Sequence, residues 1–290
     1  MGEAGFESRF VTAGDGLKLH VRVYGQPRAG RLPLVCLAGL SRNAADFDVL
    51  ARDISATRQV IAPDYRGRGL SGWDPDWQRY APPVEIEDVL TVTAALGIDR
   101  AVFLGTSRGG LLTMAMAAVR PAMLAGAILN DIGPVVEAAG LVRIKDYLGK
   151  LPAPDTMEAA VTLLKSISAG KFPGLADADW RRQAEAMWTM RDGRLAAAFD
   201  PALARTLEQV DLDAPLPTLW PQFDALAGIP VMVIRGEHSD ILSAETVAAM
   251  AARRPDLDVL DVPGQGHAPL LADARSIDRI AAFADHCDAA

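Results

Sequence analysis

One serine in this chain stands between glycines where an apolar run meets a helix-forming segment. The stretch is Ala101-Val102-Phe103-Leu104-Gly105-Thr106-Ser107-Arg108-Gly109-Gly110, followed by the Ala-, Leu- and Met-rich residues Leu111 to Val119. Strand, tight turn, helix is the order that holds a hydroxyl at a strand tip beside free helix N–H groups. The glycines at 105 and 109 fit Gly-x-Ser-x-Gly, where strand and helix backbones pass close together. A serine hydroxyl attacks carbonyls poorly until a base takes its proton. Imidazole is the side chain whose ordinary pKa suits that task. His267, in Pro263-Gly264-Gln265-Gly266-His267-Ala268-Pro269, follows the last apolar run and is the candidate base. The base needs a carboxylate to fix its tautomer and balance its developing charge. Asp240, in the loop after Ile229 to Arg235, is the first choice, and Asp131, just after Leu124 to Leu129, is its rival. His238 reads as a loop residue near the mouth of such a site, and His20 and His286 as surface groups.

The elements that must position these groups follow from hydrophobic patterning. Phe6 to Val23 reads as two extended pieces around Ala13-Gly14-Asp15-Gly16, the second alternating apolar and polar as a half-exposed strand does. Leu32 to Leu37, Gln59 to Pro63, Ala101 to Leu104 and Leu124 to Leu129 are short, nearly continuous apolar runs, as expected for strands buried on both faces. Asp46 to Ser55 and Val84 to Leu96 read as the helices between them, the second opened by Pro82-Pro83. Sheet character returns at Ile229 to Arg235 and Asp258 to Val262, with helices over Ala244 to Ala252 and Arg275 to Cys287. This alternation predicts an α/β fold, a three-layer α/β/α sandwich with a mostly parallel central sheet.

Between Val135 and Trp220 the strand signal disappears. Helices are expected over Val136–Leu148, Thr156–Ala169, Asp177–Met190 and Leu195–Glu208, broken by prolines and glycines. The expected division is a core of residues 1–134 and 221–290 with a helical cap of residues 135–220. An insertion at the C-terminal edge of a parallel sheet sits over the crevice where such sheets bind ligands. Trp180, Met187 and Trp188 from the cap, and Trp73 and Trp77 from the core, could line an apolar pocket there, with His238 at its mouth. Taken singly, each of these residues reads first as ordinary packing.

With these separated motifs in place, the chain resembles the α/β-hydrolases over nearly its whole length. The resemblance implies a serine hydrolase with a helical cap and a triad in the chain order Ser107, Asp240, His267. It also implies an oxyanion hole made by the backbone N–H groups of Leu40, in Ala38-Gly39-Leu40-Ser41, and of Arg108. Many relatives carry His-Gly where this chain has Ala38-Gly39. Some place the acid where Asp131 stands. Asp64-x-Arg66-Gly67-x-Gly69-x-Ser71 looks like the family's structural loop beside the nucleophile, with Arg66 as an organiser. The Arg108 side chain could hold a substrate carboxylate, or more plainly pair with Asp64 or Glu85.

Composition bounds the function. With 50% apolar and 23% charged residues the chain is an ordinary globular one. A net charge of −8 argues against nucleic acid and against an anionic membrane surface as partners. Met1 to Arg9 lacks the apolar stretch of a signal peptide and no later run is long enough to span a bilayer, so a cytoplasmic location is expected. Cys36 and Cys287 are not expected to pair, and no Cys/His spacing supports a metal site. The expectation is a cofactor-free hydrolase of small-to-medium carboxylic esters acting through an acyl-enzyme, as a monomer or homodimer with a small-molecule substrate. Lactone or enol-lactone hydrolysis, meta-cleavage carbon–carbon hydrolysis and a non-catalytic ligand-binding role are the alternatives. An aspartate-dependent dehalogenase is disfavoured by Ser107, and a dinucleotide site by the lack of Gly-x-Gly-x-x-Gly.

Overall fold

The apolar runs pair side by side. The computed structural model describes all residues except 1–4, 149, 151, 213 and 290, so the first four residues of the Met1–Arg9 segment lie outside it. In chain order the core begins with β1 (Glu7–Thr12), β2 (Lys18–Tyr24), β3 (Leu34–Leu37), α1 (Asp48–Ile54), β4 (Val60–Pro63) and α2 (Pro82–Ala95). It continues with β5 (Ala101–Thr106), α3 (Arg108–Val119) and β6 (Leu124–Asn130). The inserted segment carries α4 (Ala138–Tyr147), α5 (Met157–Ser168), α6 (Asp177–Met187), β7 (Trp188–Arg191), β8 (Arg194–Ala197) and α7 (Ala204–Glu208). The core resumes with α8 (Trp220–Asp224), β9 (Val231–Gly236), α9 (Ala244–Arg253), β10 (Asp258–Val262) and α10 (Ala274–Asp288).

The main sheet runs β1-β2-β4-β3-β5-β6-β9-β10. Strands β4, β3, β5, β6, β9 and β10 are mutually parallel, and β1 and β2 extend the edge as an antiparallel hairpin. Side chains alternate between two apolar layers. Val35 and Leu37 join the side covered by α2, α3, α8 and α9, whereas Leu34 and Cys36 join the side covered by α1 and α10. This is the sandwich predicted from the patterning, with the helical cap. All parallel strands end on one edge, which is where loops distant in sequence can meet. Among the described residues no helix is long and apolar enough to cross a membrane. Cys36 and Cys287 are free thiols, both buried.

Three expectations need correction. Residues expected to continue a helix to Met190 and to begin another at Leu195 instead form the β7–β8 hairpin. Its turn, Asp192-Gly193, has positive φ at both residues (49° and 77°). Asp-Gly is a strong two-residue hairpin signal, and it overrides the weak helical spacing around it. The segment expected as helix Leu195–Glu208 is helical only at its end. His20 is fully buried, not a surface group. Its Nδ1 lies 2.7 Å from Asp64 Oδ2 and its Nε2 2.7 Å from Ser8 Oγ.

The loop after β4 is fixed by buried charges. Arg66 donates through Nε and Nη2 to Asp88 (2.7 Å each) and through Nη1 to Asp74 (2.5 Å) and Asp15 (2.9 Å). Burial pushes the Asp88 carboxyl above its ordinary value despite the pull of Arg66. Removing one partner of such a buried set leaves uncompensated charge, which costs about 3–5 kcal/mol. Arg66→Met is therefore expected to lower Tm by roughly 10 °C at neutral pH. A carboxyl whose folded-state pKa is raised penalises folding above that pKa and ceases to do so once protonated. The deficit should accordingly shrink as pH falls toward the carboxylate range. Thermal unfolding followed by circular dichroism at neutral and mildly acidic pH checks both the size and the sign.

Candidate active site

Ser107 sits at the turn between β5 and α3 with φ 51° and ψ −113°. No side chain fits inside this turn. A Cβ on Gly105 would lie 2.3 Å from the Gly109 carbonyl carbon, and one on Gly109 would lie 2.1 Å from Leu37 O. The turn is held from behind by the Ser107 N–H, which donates to Asn130 O at 3.0 Å. The first internal bonds of α3 run from the Gly110 and Leu111 N–H groups to Ser107 O. The Arg108 N–H therefore stands ahead of them at the positive end of the helix. Leu40 lies on the loop after β3, beside the serine, and its carbonyl accepts from Arg68 Nε at 2.7 Å, which orients the loop.

His267 brings Nε2 to 2.9 Å from Ser107 Oγ. Its Nδ1 lies 2.8 Å from Asp131 Oδ2. A carboxylate only accepts, so Nδ1 carries the hydrogen and Nε2 presents a lone pair to the serine hydroxyl. The Asp131 carboxylate is itself fixed, since Oδ1 accepts from the Gly236 N–H (2.8 Å) and Oδ2 from the Ser239 hydroxyl (2.6 Å). Asp131 is fully buried at the end of β6, next to β9 in the sheet.

Asp240, the first-choice acid, does not contact His267 through a hydrogen bond. It is turned toward the cap, where it accepts from Arg143 Nε (2.7 Å) and Nη2 (2.9 Å), with Lys171 Nζ at 3.6 Å. Partial burial would raise its carboxyl, but the hydrogen bonds and charge of Arg143, helped by Lys171, hold it below the ordinary value. Ser239 explains the turn. Its hydroxyl binds Asp131 and accepts the N–H groups of Ile241 and Leu242, so the loop is anchored one residue before Asp240.

A cavity of about 160 Å3 opens at this point between the sheet edge and the cap. Ser107, His267 and Leu40 lie at its floor, and Leu164, Ile167, Phe172, Trp180 and Met187 form the apolar wall. Of the candidate pocket residues, then, Trp180 and Met187 line it. Trp188 is buried in the cap's own core. Trp73 and Trp77 lie outside, with Arg191 and Arg205 stacked over their rings. His238 is also outside, its backbone N–H donating to Gln265 O. The Arg108 side chain is taken by Glu85 (Nε to Oε2, 2.7 Å), the plainer of its two readings. Glu85 also pairs with the buried Arg68 at 2.7 Å.

Among the polar lining residues that were not singled out from the sequence are Arg42, Arg143 and Tyr147. Arg143 and Tyr147 are one helical turn apart on α4, beside Ile144, and a cation interrupting the apolar face of a cap helix is the signal that could have found them. The Ser8–His20–Asp64 series repeats the same succession of groups at the sheet edge. None of its members lines the cavity, so a hydrogen-bonded series alone does not make a site.

Comparison with known proteins gives a consistent picture. Residues 34–283 match the family described as the alpha/beta hydrolase family. A 3-hydroxybutyrate-oligomer hydrolase from Cupriavidus necator is 35% identical over 92% of this chain and 94% of its own length. A 2-(acetamidomethylene)succinate hydrolase from Mesorhizobium japonicum is 29% identical over 90% of this chain and 89% of its own. The crystal structure of an alpha/beta hydrolase from Novosphingobium aromaticivorans superimposes with a TM-score of 0.91 at 41% identity, covering 98% of this chain and 99% of that one.

Proposed function

The chain belongs to the alpha/beta hydrolase family and is a carboxylic ester hydrolase; we propose that it cleaves short esters of hydroxy acids through an acyl-enzyme formed on Ser107, with His267 as base and Asp131 as its carboxylate. The observation that carries this reading is the unbroken succession from Asp131 through His267 to Ser107, with the hydroxyl opening onto the cavity under the cap. Similarity to the 3-hydroxybutyrate-oligomer hydrolase over almost the whole of both chains supports the substrate class. The apolar wall of this small cavity suits a short acyl chain.

Chemistry follows from the geometry. Ser107 Oγ attacks the ester carbonyl as its proton passes to His267 Nε2. The imidazolium so formed is balanced by Asp131 through the Nδ1–H bond. Negative charge on the former carbonyl oxygen is met by the N–H groups of Leu40 and Arg108, an arrangement in which loss of one donor costs roughly 3–4 kcal/mol. His267 returns its proton to the departing alkoxide. It then takes a proton from water, whose oxygen attacks the acyl carbon, and passes that proton to Ser107 Oγ as the acyl–Oγ bond breaks, which frees the carboxylic acid and the serine hydroxyl.

A fluorophosphonate probe should label the wild-type protein with one-to-one stoichiometry. The protein should also turn over p-nitrophenyl butyrate and the 3-hydroxybutyrate dimer. Absence of labelling together with no turnover of either ester would defeat the reading.

A further inference from the structure

The cavity has a cationic end that the acyl-transfer chemistry leaves unused. Arg42 enters from the loop after β3 and Arg143 from cap helix α4, and Tyr147 stands with them on the cavity wall. Arg42 begins beside the nucleophile, because a Cβ on Gly39 would lie 3.3 Å from Arg42 Cγ and 3.9 Å from Ser107 Cβ. Each guanidinium is braced from behind. Arg42 donates Nε to Asp46 (2.8 Å) and Nη2 to Asp46 (2.5 Å) and Gln183 (2.7 Å). Arg143 uses Nε and Nη2 on Asp240. Neither carboxylate pairing uses Nη1, and Arg143 also hydrogen-bonds the Tyr147 hydroxyl. Lys171, half-exposed outside the cavity lining, adds a second cation 3.6 Å from Asp240. Burial raises the Tyr147 phenol, and both guanidinium groups pull against that rise, so all three heads share one field.

Two guanidinium groups held in place before any ligand arrives, each with an Nη1 not used on its carboxylate and both lining the cavity that holds the nucleophile, suit an anion on the substrate. In a chain of hydroxy acids joined by esters, the free carboxylate always lies on the alcohol side of whichever ester is cut. The geometry points to Arg42, Arg143 and Tyr147 as a binding site for the free carboxylate of the leaving alcohol fragment, which makes acid-terminated hydroxy-acid esters the preferred substrates. This inference rests on the ester-hydrolase reading above. The carboxylate contact that Arg108 suggested in the sequence thus falls to other arginines, because Glu85 occupies Arg108.

The test compares the 3-hydroxybutyrate dimer with its methyl ester, which differ only in the terminal charge. Wild type should favour the free acid in kcat/KM by roughly 10- to 100-fold, carried mainly by KM. In Arg143→Gln the ratio of acid to methyl ester should fall toward one, and Arg143→Lys should restore part of it. Equal or better use of the methyl ester by wild type overturns the proposal without any variant. Calorimetry separates this failure from that of the hydrolase reading. 3-Hydroxybutyrate, but not its amide, should bind wild type whether or not the dimer is cleaved, and lack of that difference also overturns the site.

Discussion

Asp131→Asn is expected to lower kcat for ester hydrolysis by about 10,000-fold, while Asp240→Asn costs far less. The reason lies in which atoms Asp131 already serves. Its Oδ1 accepts the Gly236 N–H and its Oδ2 faces the Ser239 hydroxyl and His267 Nδ1. An asparagine at 131 must keep its oxygen on the Gly236 N–H, since reversing the amide would set two donors against each other in a buried place. The NH2 group then points at His267 Nδ1, which must give up its hydrogen and accept. The imidazole hydrogen moves to Nε2, and Nε2–H cannot receive the proton of Ser107. Asp240 has no such hold, because its oxygens are spent on Arg143. Steady-state kinetics on p-nitrophenyl butyrate for both variants checks the assignment. A larger loss at 240 would show that the acid had been placed on the wrong strand. Unaltered thermal stability is not expected for Asp131→Asn, so soluble, folded protein should be established first by circular dichroism.

That pair of acids also marks what the sequence could and could not disclose. Position along the chain brought both to the same sheet edge, because β6 and β9 are neighbours and each acid follows one of them. What separates them is the direction of the side chain, and that is set by Ser239 and by Arg143, whose partners across the fold are not written in their spacing. The serine turn was legible because its glycines answer to a steric need that shows in the sequence: backbone atoms pass within the space a Cβ would fill. The sheet was legible because buried parallel strands must be apolar on both faces. The cap was legible as an insertion but less so inside, where the Asp192-Gly193 turn outweighed helical periodicity in flanking residues. His20 shows the same limit. Alternation placed it on a half-exposed strand, but its partner Asp64 comes from the loop after β4 and buries it.

Ser107→Ala and Ser107→Gly should both lose roughly a million-fold in kcat and all fluorophosphonate labelling, but they should differ in stability. Ser107 is a non-glycine residue at φ 51° and ψ −113°, outside the regions that L-residues occupy comfortably. Holding such a residue there costs about 1–3 kcal/mol, and the surrounding structure must sustain it. Alanine keeps the Cβ and so keeps the strain, while it removes only the hydroxyl and its bond to His267. Glycine adopts this conformation with little penalty, although it also gains freedom in the unfolded chain worth up to about 1 kcal/mol. The balance favours glycine over alanine by up to about 2 kcal/mol, or a few degrees in Tm for a chain of this size. At an ordinary helix start the two would differ little or in the other direction, so the order of the two Tm values reads the strain directly. Equal Tm values, or a lower one for glycine, would mean that the turn sets the hydroxyl in place without backbone cost. Activity surviving in either variant would move the nucleophile elsewhere altogether.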